Sequence, residues 1–186
     1  MYHALSCKSH NQLISRHDAV KEVIGEMCKA AQLSYHLEPQ QALSGNKLRP
    51  DILIQFGKDG HDVAFDLTID NPVRDHESTK TSLKDDQAFL RQQANVKLGK
   101  YRQECAKNGA SFTPIVLGAF GGILDDSYSD GIKFLINKMK SKYFNSPNWA
   151  APDKKTYWLQ RLIITLWAGN VKQMSKWLEK KPLIRC

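Results

Sequence analysis

Residues 49–70, RPDILIQFGKDGHDVAFDLTID, decide how this chain reads. Two runs with period-two alternation flank the glycine-bounded stretch Gly57-Lys58-Asp59-Gly60. In the first run Ile52, Ile54 and Phe56 share one face, with Asp51, Leu53 and Gln55 on the other. In the second, Val63, Phe65, Leu67 and Ile69 oppose Ala64, Asp66 and Thr68. Such alternation marks strands, and a short polar linker with glycines joins them as a hairpin. With Lys58-Asp59 as the loop, Gly57 faces Gly60, and counting outward sets Asp51 opposite Asp66. Directly paired residues hold their Cβ atoms about 4.5–5.5 Å apart. Two carboxylates that close repel, and burial makes both harder to ionise. A divalent cation between them removes the penalty; Mg²⁺ suits such a site because it needs only one or two carboxylates beside water and a phosphate oxygen. Asp66 also interrupts VAFDLTI, a run apolar enough for a central strand, where an unengaged carboxylate is costly. The competing arrangement puts both aspartates on a solvated face, and a register slip of one residue would part them.

Outward from the hairpin, residues 16–32 place Val20, Val23, Ile24, Met27 and Ala31 at helical spacing. A polar loop over 38–50 follows and ends at Pro50. Beyond Asn71-Pro72 a charged loop leads to a second helix over 83–107, whose stripe is Leu83, Leu90, Ala94, Leu98, Tyr101 and Cys105. Residues 111–120, SFTPIVLGAF, read as a buried strand that Gly121-Gly122 ends. A helix over 129–142 comes next, then two short helices around Trp158, Leu162, Trp167 and Trp177, separated near Gly169-Asn170. The four tryptophans, Trp149 included, could stack bases; helical spacing favours a packed core. The succession implies an α/β (α+β) domain: a central mixed sheet with a hairpin, flanked by helices, plus C-terminal helices. Residues 1–15 form an N-terminal segment, 16–125 the core, and 126–186 a helical extension packed on it.

The formal charge of +8 favours polyanions, either nucleic acid or an anionic membrane surface. No apolar run reaches membrane-span length and the opening MYHALSCKSH lacks a signal-peptide core, so an intracellular protein and no membrane partner are expected. Cysteines 7, 28, 105 and 186 show no CxxC spacing, which suits reduced thiols; Cys28 and Cys105 fall within helical patterns as small apolar residues.

Arg49-Pro50-Asp51, fourteen intervening residues, then Asp66-Leu67-Thr68 resembles the signature of PD-(D/E)XK nucleases, which share a restriction-endonuclease-like fold. The chain is most similar to the C-terminal endonuclease of reverse transcriptases from site-specific non-long-terminal-repeat retrotransposons, over roughly residues 3–170. Arg16-His17-Asp18 resembles the motif that precedes the first helix there, with Asp18 in place of asparagine. Lys97-Leu98-Gly99-Lys100-Tyr101 resembles the lysine-x-x-lysine-tyrosine pattern that carries the family's lysine on a helix. Thr68 stands where most PD-(D/E)XK enzymes have their catalytic lysine, so activity requires Lys97 or Lys100 in its place. His3 and Cys7 resemble the second half of a zinc-binding segment found before the nuclease; its first two cysteines are missing, and a structural zinc wants four ligands, from His10 or a partner.

The resemblance implies Mg²⁺- or Mn²⁺-dependent hydrolysis of DNA phosphodiesters, a longer parent carrying a reverse transcriptase, and a nuclear location if the source is eukaryotic. Asp51, Asp66 and the Leu67 backbone carbonyl would hold the metal, while a lysine stabilises charge that builds on the phosphate. Lys97 lies about 60° from the centre of its helix's apolar stripe and Lys100 about twice that, so Lys97 is the catalytic candidate. Lys100, Tyr101, Arg16, His17 and Arg49 are the candidate nucleic-acid contacts. Glu22 lies nearly opposite the first helix's stripe and is expected in solvent. Two other readings stand beside this one: a nucleic-acid-binding module with the nuclease fold but no turnover, and a protein-interaction domain whose basic charge is incidental.

Overall fold

Strand β3 (His61–Asp70) is buried on both faces from Val63 to Leu67, and that fixes the layering. The computed structural model describes residue 5 and residues 12–39, 49–58, 60–73, 79, 85–143 and 154–180; His3, Cys7, His10 and Trp149 lie outside them. Helix α1 (Gln12–Ala30) leads into β1 (Tyr35–Leu37), β2 (Ile52–Lys58) and β3. Helix α2 (Asp86–Lys107) then carries the chain across to β4 (Ala110–Gly118). A π-helical turn (Ser127–Ile132) runs into α3 (Lys133–Tyr143), and α4 spans Lys154–Lys180. The sheet has the order β1-β2-β3-β4, antiparallel except for the parallel β3/β4 pair. The protein is thus a mixed α/β domain with a four-stranded mixed sheet flanked by helices. Among the described residues no helix is long and apolar enough to cross a membrane.

One face of the sheet supplies Ile52, Ile54, Val63, Phe65 and Leu67 to a cluster that also takes Val20, Ile24 and Met27 of α1. Leu135 and Ile136 of α3 and Trp158, Leu162 and Leu166 of α4 complete it, so the C-terminal helices share the main core. Full burial of side chains of this size stabilises by about 1.5–3 kcal/mol each. The other face is covered by α2 through smaller groups: Ala64 with Tyr101 and Cys105, and Val116 with Phe89, Leu90 and Ala94. Cys28 and Cys105 are buried free thiols, as expected, and burial pushes them up to about 12 and about 11.

Four expectations need correction. The loop is one residue later than Lys58-Asp59: Lys58 pairs with His61, and Gly60 takes φ +80°. Between Ile54 and Lys58, β2 takes four steps where β3 takes two, a bulge that restores the register Ile52↔Phe65. The bulge turns Phe56 outward, 76% exposed at φ +50°, and gives its inner place to Gly57, where a Cβ would meet Ile54 and Val63 at 3.0 Å. Strand β1 lies where no strand was read; its three residues are too few to show a period.

The remaining two corrections concern the C-terminal half. The helix expected over 129–142 begins at the π turn, whose Ser127 hydroxyl donates to the Pro114 carbonyl (2.7 Å) and accepts the Val116 N–H (3.0 Å). The break expected near Gly169-Asn170 is absent. A Cβ on Gly169 would meet Arg16 Cγ at 2.6 Å, so the glycine serves close approach of α4 to α1 and does not end the helix.

Candidate active site

The hairpin register and the α2 crossover bring five predicted residues to one end of β3. Extending the Ile52↔Phe65 pairing by one residue sets Asp51 beside Asp66. Asp51 lies just before β2, and its Oδ2 accepts the Leu67 N–H at 2.6 Å. His17 of α1 approaches the same oxygen with Nε2 at 3.3 Å and lies 3.2 Å from the Leu67 carbonyl oxygen. From the other side, Lys97 of α2 puts Nζ 2.6 Å from Asp66 Oδ2.

The two carboxylates differ in environment. Burial opposes ionisation of Asp51, but the His17 hydrogen bond and charge outweigh it and hold the group below the ordinary carboxylate range. Asp66 is 3% exposed, and burial raises its pKa against the pull of Lys97, with the Asp51 charge adding to the rise. Burial also opposes protonation of His17, yet the bond to Asp51, then Asp18 and the Leu67 carbonyl, raise it above 6.5. Lys97 compensates the Asp66 charge directly, and the Tyr101 hydroxyl adds to the pull on the same carboxyl.

Asp51, Asp66 and the Leu67 carbonyl offer oxygen donors only, the chemistry a hard cation such as Mg²⁺ takes. In the metal-free chain the Leu67 N–H and His17 hold Asp51, His17 meets the Leu67 carbonyl, and Lys97 holds Asp66. Among the described residues no group of three or more His, Cys, Asp or Glu side chains is placed to hold a metal; this set has two carboxylates and a main-chain oxygen. An open cleft of about 370 Å³ lies alongside, bordered by His17, Leu67, Thr68 and Lys97 and walled by Ile14 and Ile69.

The other predicted contacts divide. Lys100 is exposed, with Nζ 4.7 Å from the Tyr101 ring centroid and 3.2 Å from its hydroxyl. Tyr101 itself is buried, stacked on Phe112 at 5.1 Å, and its hydroxyl donates to the Arg49 carbonyl at 3.1 Å, which ties α2 to the segment ahead of Asp51. Arg49 is exposed. Arg16 is 2% exposed and its guanidinium donates to Asn170 Oδ1 at 2.7 Å; Asn170 in turn donates to the Ala119 carbonyl. The Arg16 side chain therefore joins α1 to α4. Glu22 is exposed, as its place on the helix requires.

Sequence reasoning missed Lys21. It is 4% exposed and pairs with Asp18 (2.9 Å) and Glu38, which anchors the carboxylate that also touches His17. Burial works against its charge, but the two acids prevail and raise its pKa. The signal was there: Lys21 sits one turn after His17, beside Val20, on the buried side of α1. No family model matches this chain, and no curated protein matches it.

Proposed function

We propose that the chain is a metal-dependent DNA endonuclease with a restriction-endonuclease-like fold, of the PD-(D/E)XK kind and akin to retrotransposon endonucleases. The observation that supports this reading is Asp66: a nearly buried carboxylate in a central strand, paired by register with Asp51 and contacted by the Lys97 amine at 2.6 Å. An isolated buried carboxylate with only a structural role is costly in such a strand. When bound, a divalent cation supplies Lewis acidity to the phosphate and a more acidic water.

The chain's own groups have distinct tasks in this reading. Asp51 and Asp66 would provide the negative charge that holds the cation, with the Leu67 carbonyl as a further oxygen donor. Lys97, arriving from α2, takes the part that Thr68 cannot: its ammonium stabilises negative charge accumulating on the phosphate oxygens. Arg49 and Lys100, both exposed, give salt-sensitive contacts to the DNA backbone.

A second reading rests on the same site. Without a cation, Lys97 balances Asp66 and His17 balances Asp51, so the two acids are already compensated. That balance suits a DNA-binding module without turnover. A plasmid-nicking assay separates the two: Mg²⁺-dependent nicking that disappears in Asp66→Ala supports the enzyme. Salt-sensitive binding with no cleavage in Mg²⁺ or Mn²⁺ supports the module, and cleavage unchanged by Asp66→Ala removes the assignment.

A further inference from the structure

Asp51 is held from two sides, and both holds lead to one lysine. On the side-chain side, His17 Nε2 meets Asp51 Oδ2 at 3.3 Å, while His17 Nδ1 lies 3.4 Å from Asp18 Oδ1. That same Asp18 oxygen takes the Lys21 ammonium at 2.9 Å, and Lys21 also pairs with Glu38. On the main-chain side, Glu38 donates its N–H to the Asp51 carbonyl at 2.8 Å. The contacts close a ring: Asp51, His17, Asp18, Lys21, Glu38 and back to Asp51. Helix α1 supplies three of its members, Glu38 directly follows β1, and Asp51 directly precedes β2.

Two members of the ring are unfavourable where they stand. Lys21 is 4% exposed on the buried side of α1, where a lysine persists only if it is paired. An apolar side chain of similar volume is often as stable as a buried ion pair or more so. Stability alone therefore gives no reason for the ammonium. Glu38 takes φ +45°, a region that glycine enters freely and other residues rarely do. From that one conformation its carboxylate reaches Lys21 and its N–H reaches Asp51. A strained residue and a buried cation in contact fit a constraint built for the group on which they converge. That group is Asp51, whose place beside Asp66 decides whether one cation meets both carboxylates. We propose that Lys21 and Glu38 are positioning residues of the candidate metal site. They set the Asp51 carboxylate through Asp18 and His17, and its main chain through the Glu38 N–H. The inference rests on the nuclease reading and assigns to that site two residues that act only through others.

The test uses the whole chain as Lys21→Met, Glu38→Gly and the double variant. The Asp18 and Glu38 side chains are about half exposed (47% and 54%), so losing the ammonium strands no buried charge and Lys21→Met should keep its Tm. Glycine at position 38 keeps the N–H and suits the backbone, so that variant should fold as well. Two quantities are measured: the Mg²⁺ dependence of plasmid nicking, and Mn²⁺ binding without DNA, read from the electron paramagnetic resonance of the free ion. Lys21→Met should raise the Mg²⁺ needed for half-maximal nicking and weaken Mn²⁺ binding, each by roughly tenfold or more. The rate at saturating Mg²⁺ should change far less. Glu38→Gly should shift both quantities by less, since the N–H to Asp51 survives. The double variant should match Lys21→Met, because one linked unit fails only once. Unchanged metal affinity in Lys21→Met, alongside nicking that Asp66→Ala abolishes, overturns the inference and leaves the nuclease reading in place. Single-variant shifts that simply add in the double variant overturn it too. A wild-type chain that neither nicks nor binds Mn²⁺ removes both.

Discussion

On one face of β3, Val63, Phe65 and Leu67 enter a single apolar cluster with α1, α3 and α4. On the other, Ala64 and Asp66 meet α2, where the contacts include an ion pair and a phenol. Residues one step apart in sequence thus sit in environments with opposite rules. The first face is held by volume and loses stability when volume is removed. The second holds charge in a poorly solvated place, which costs stability and creates reactivity. The difference teaches where to look for function in a mixed sheet: on the face whose packing is interrupted.

Six substitutions test that contrast, in decreasing order of expected effect. Asp66→Asn should cut Mg²⁺-dependent nicking by more than about a thousandfold, equivalent to about 4 kcal/mol of transition-state stabilisation. Its folded pKa lies above the unfolded value, so ionised Asp66 disfavours folding at neutral pH, and the variant's Tm should hold or rise. A Tm that falls along with activity would make Asp66 an ordinary structural residue. Phe65→Ala, on the apolar face, should do the reverse: a loss of about 3–5 kcal/mol in urea unfolding, with nicking per folded molecule intact.

Lys97→Gln should slow turnover by roughly a hundredfold or more and also lower Tm, because buried Asp66 loses the cation that compensates it. Lys100→Gln in parallel should mainly weaken DNA binding and flatten its salt dependence by about one phosphate contact. If Lys100 proves the more damaging, the two helical positions exchange roles. Gly169→Ala should cost about 1–3 kcal/mol, because Arg16 must give way to the new methyl; a neutral result would loosen the packing argument for an unbroken α4.

The smallest effect depends on pH. His17 titrates above 6.5 in the folded chain, so its contribution is complete below about pH 6.5 and fades as pH climbs through the raised value. Asp51 titrates below 3.8, so its share is present above that and is lost as pH falls through the lowered value. The pair should therefore stabilise most between those limits. Metal-free His17→Gln should lose about 1 kcal/mol near pH 5.5 and less near pH 8; a loss that grows with pH would show that His17 works neutral.

The sequence was most informative where period and charge coincide. Alternation around Asp51 and Asp66 marked the two strands without fixing their register, and helical spacing favoured Lys97 over Lys100 as the residue leaning inward, which its half-burial matches. The pairing itself was reached by two departures that cancel: a turn one residue late and a bulge that turns Phe56 out. Neither is visible locally, because Gly57 owes its inner place to contacts with Ile54 and Val63. Gly169-Asn170 misled for the same reason, since a glycine that breaks a helix and one that admits a neighbour look alike until the neighbour is known.

What the chain determined unaided was its list of elements and the chemistry available on them, since backbone periodicity and side-chain type are local properties. Only tertiary structure decided which charges would meet. His17, fifty residues from Leu67, and Lys97, thirty-one from Asp66, reach β3 because α1 and α2 pack on opposite faces of one strand. The apolar run around Asp66 already pointed to its burial, but the split in pKa between the two aspartates also needs His17 beside Asp51 and Lys97 beside Asp66, which only the fold supplies.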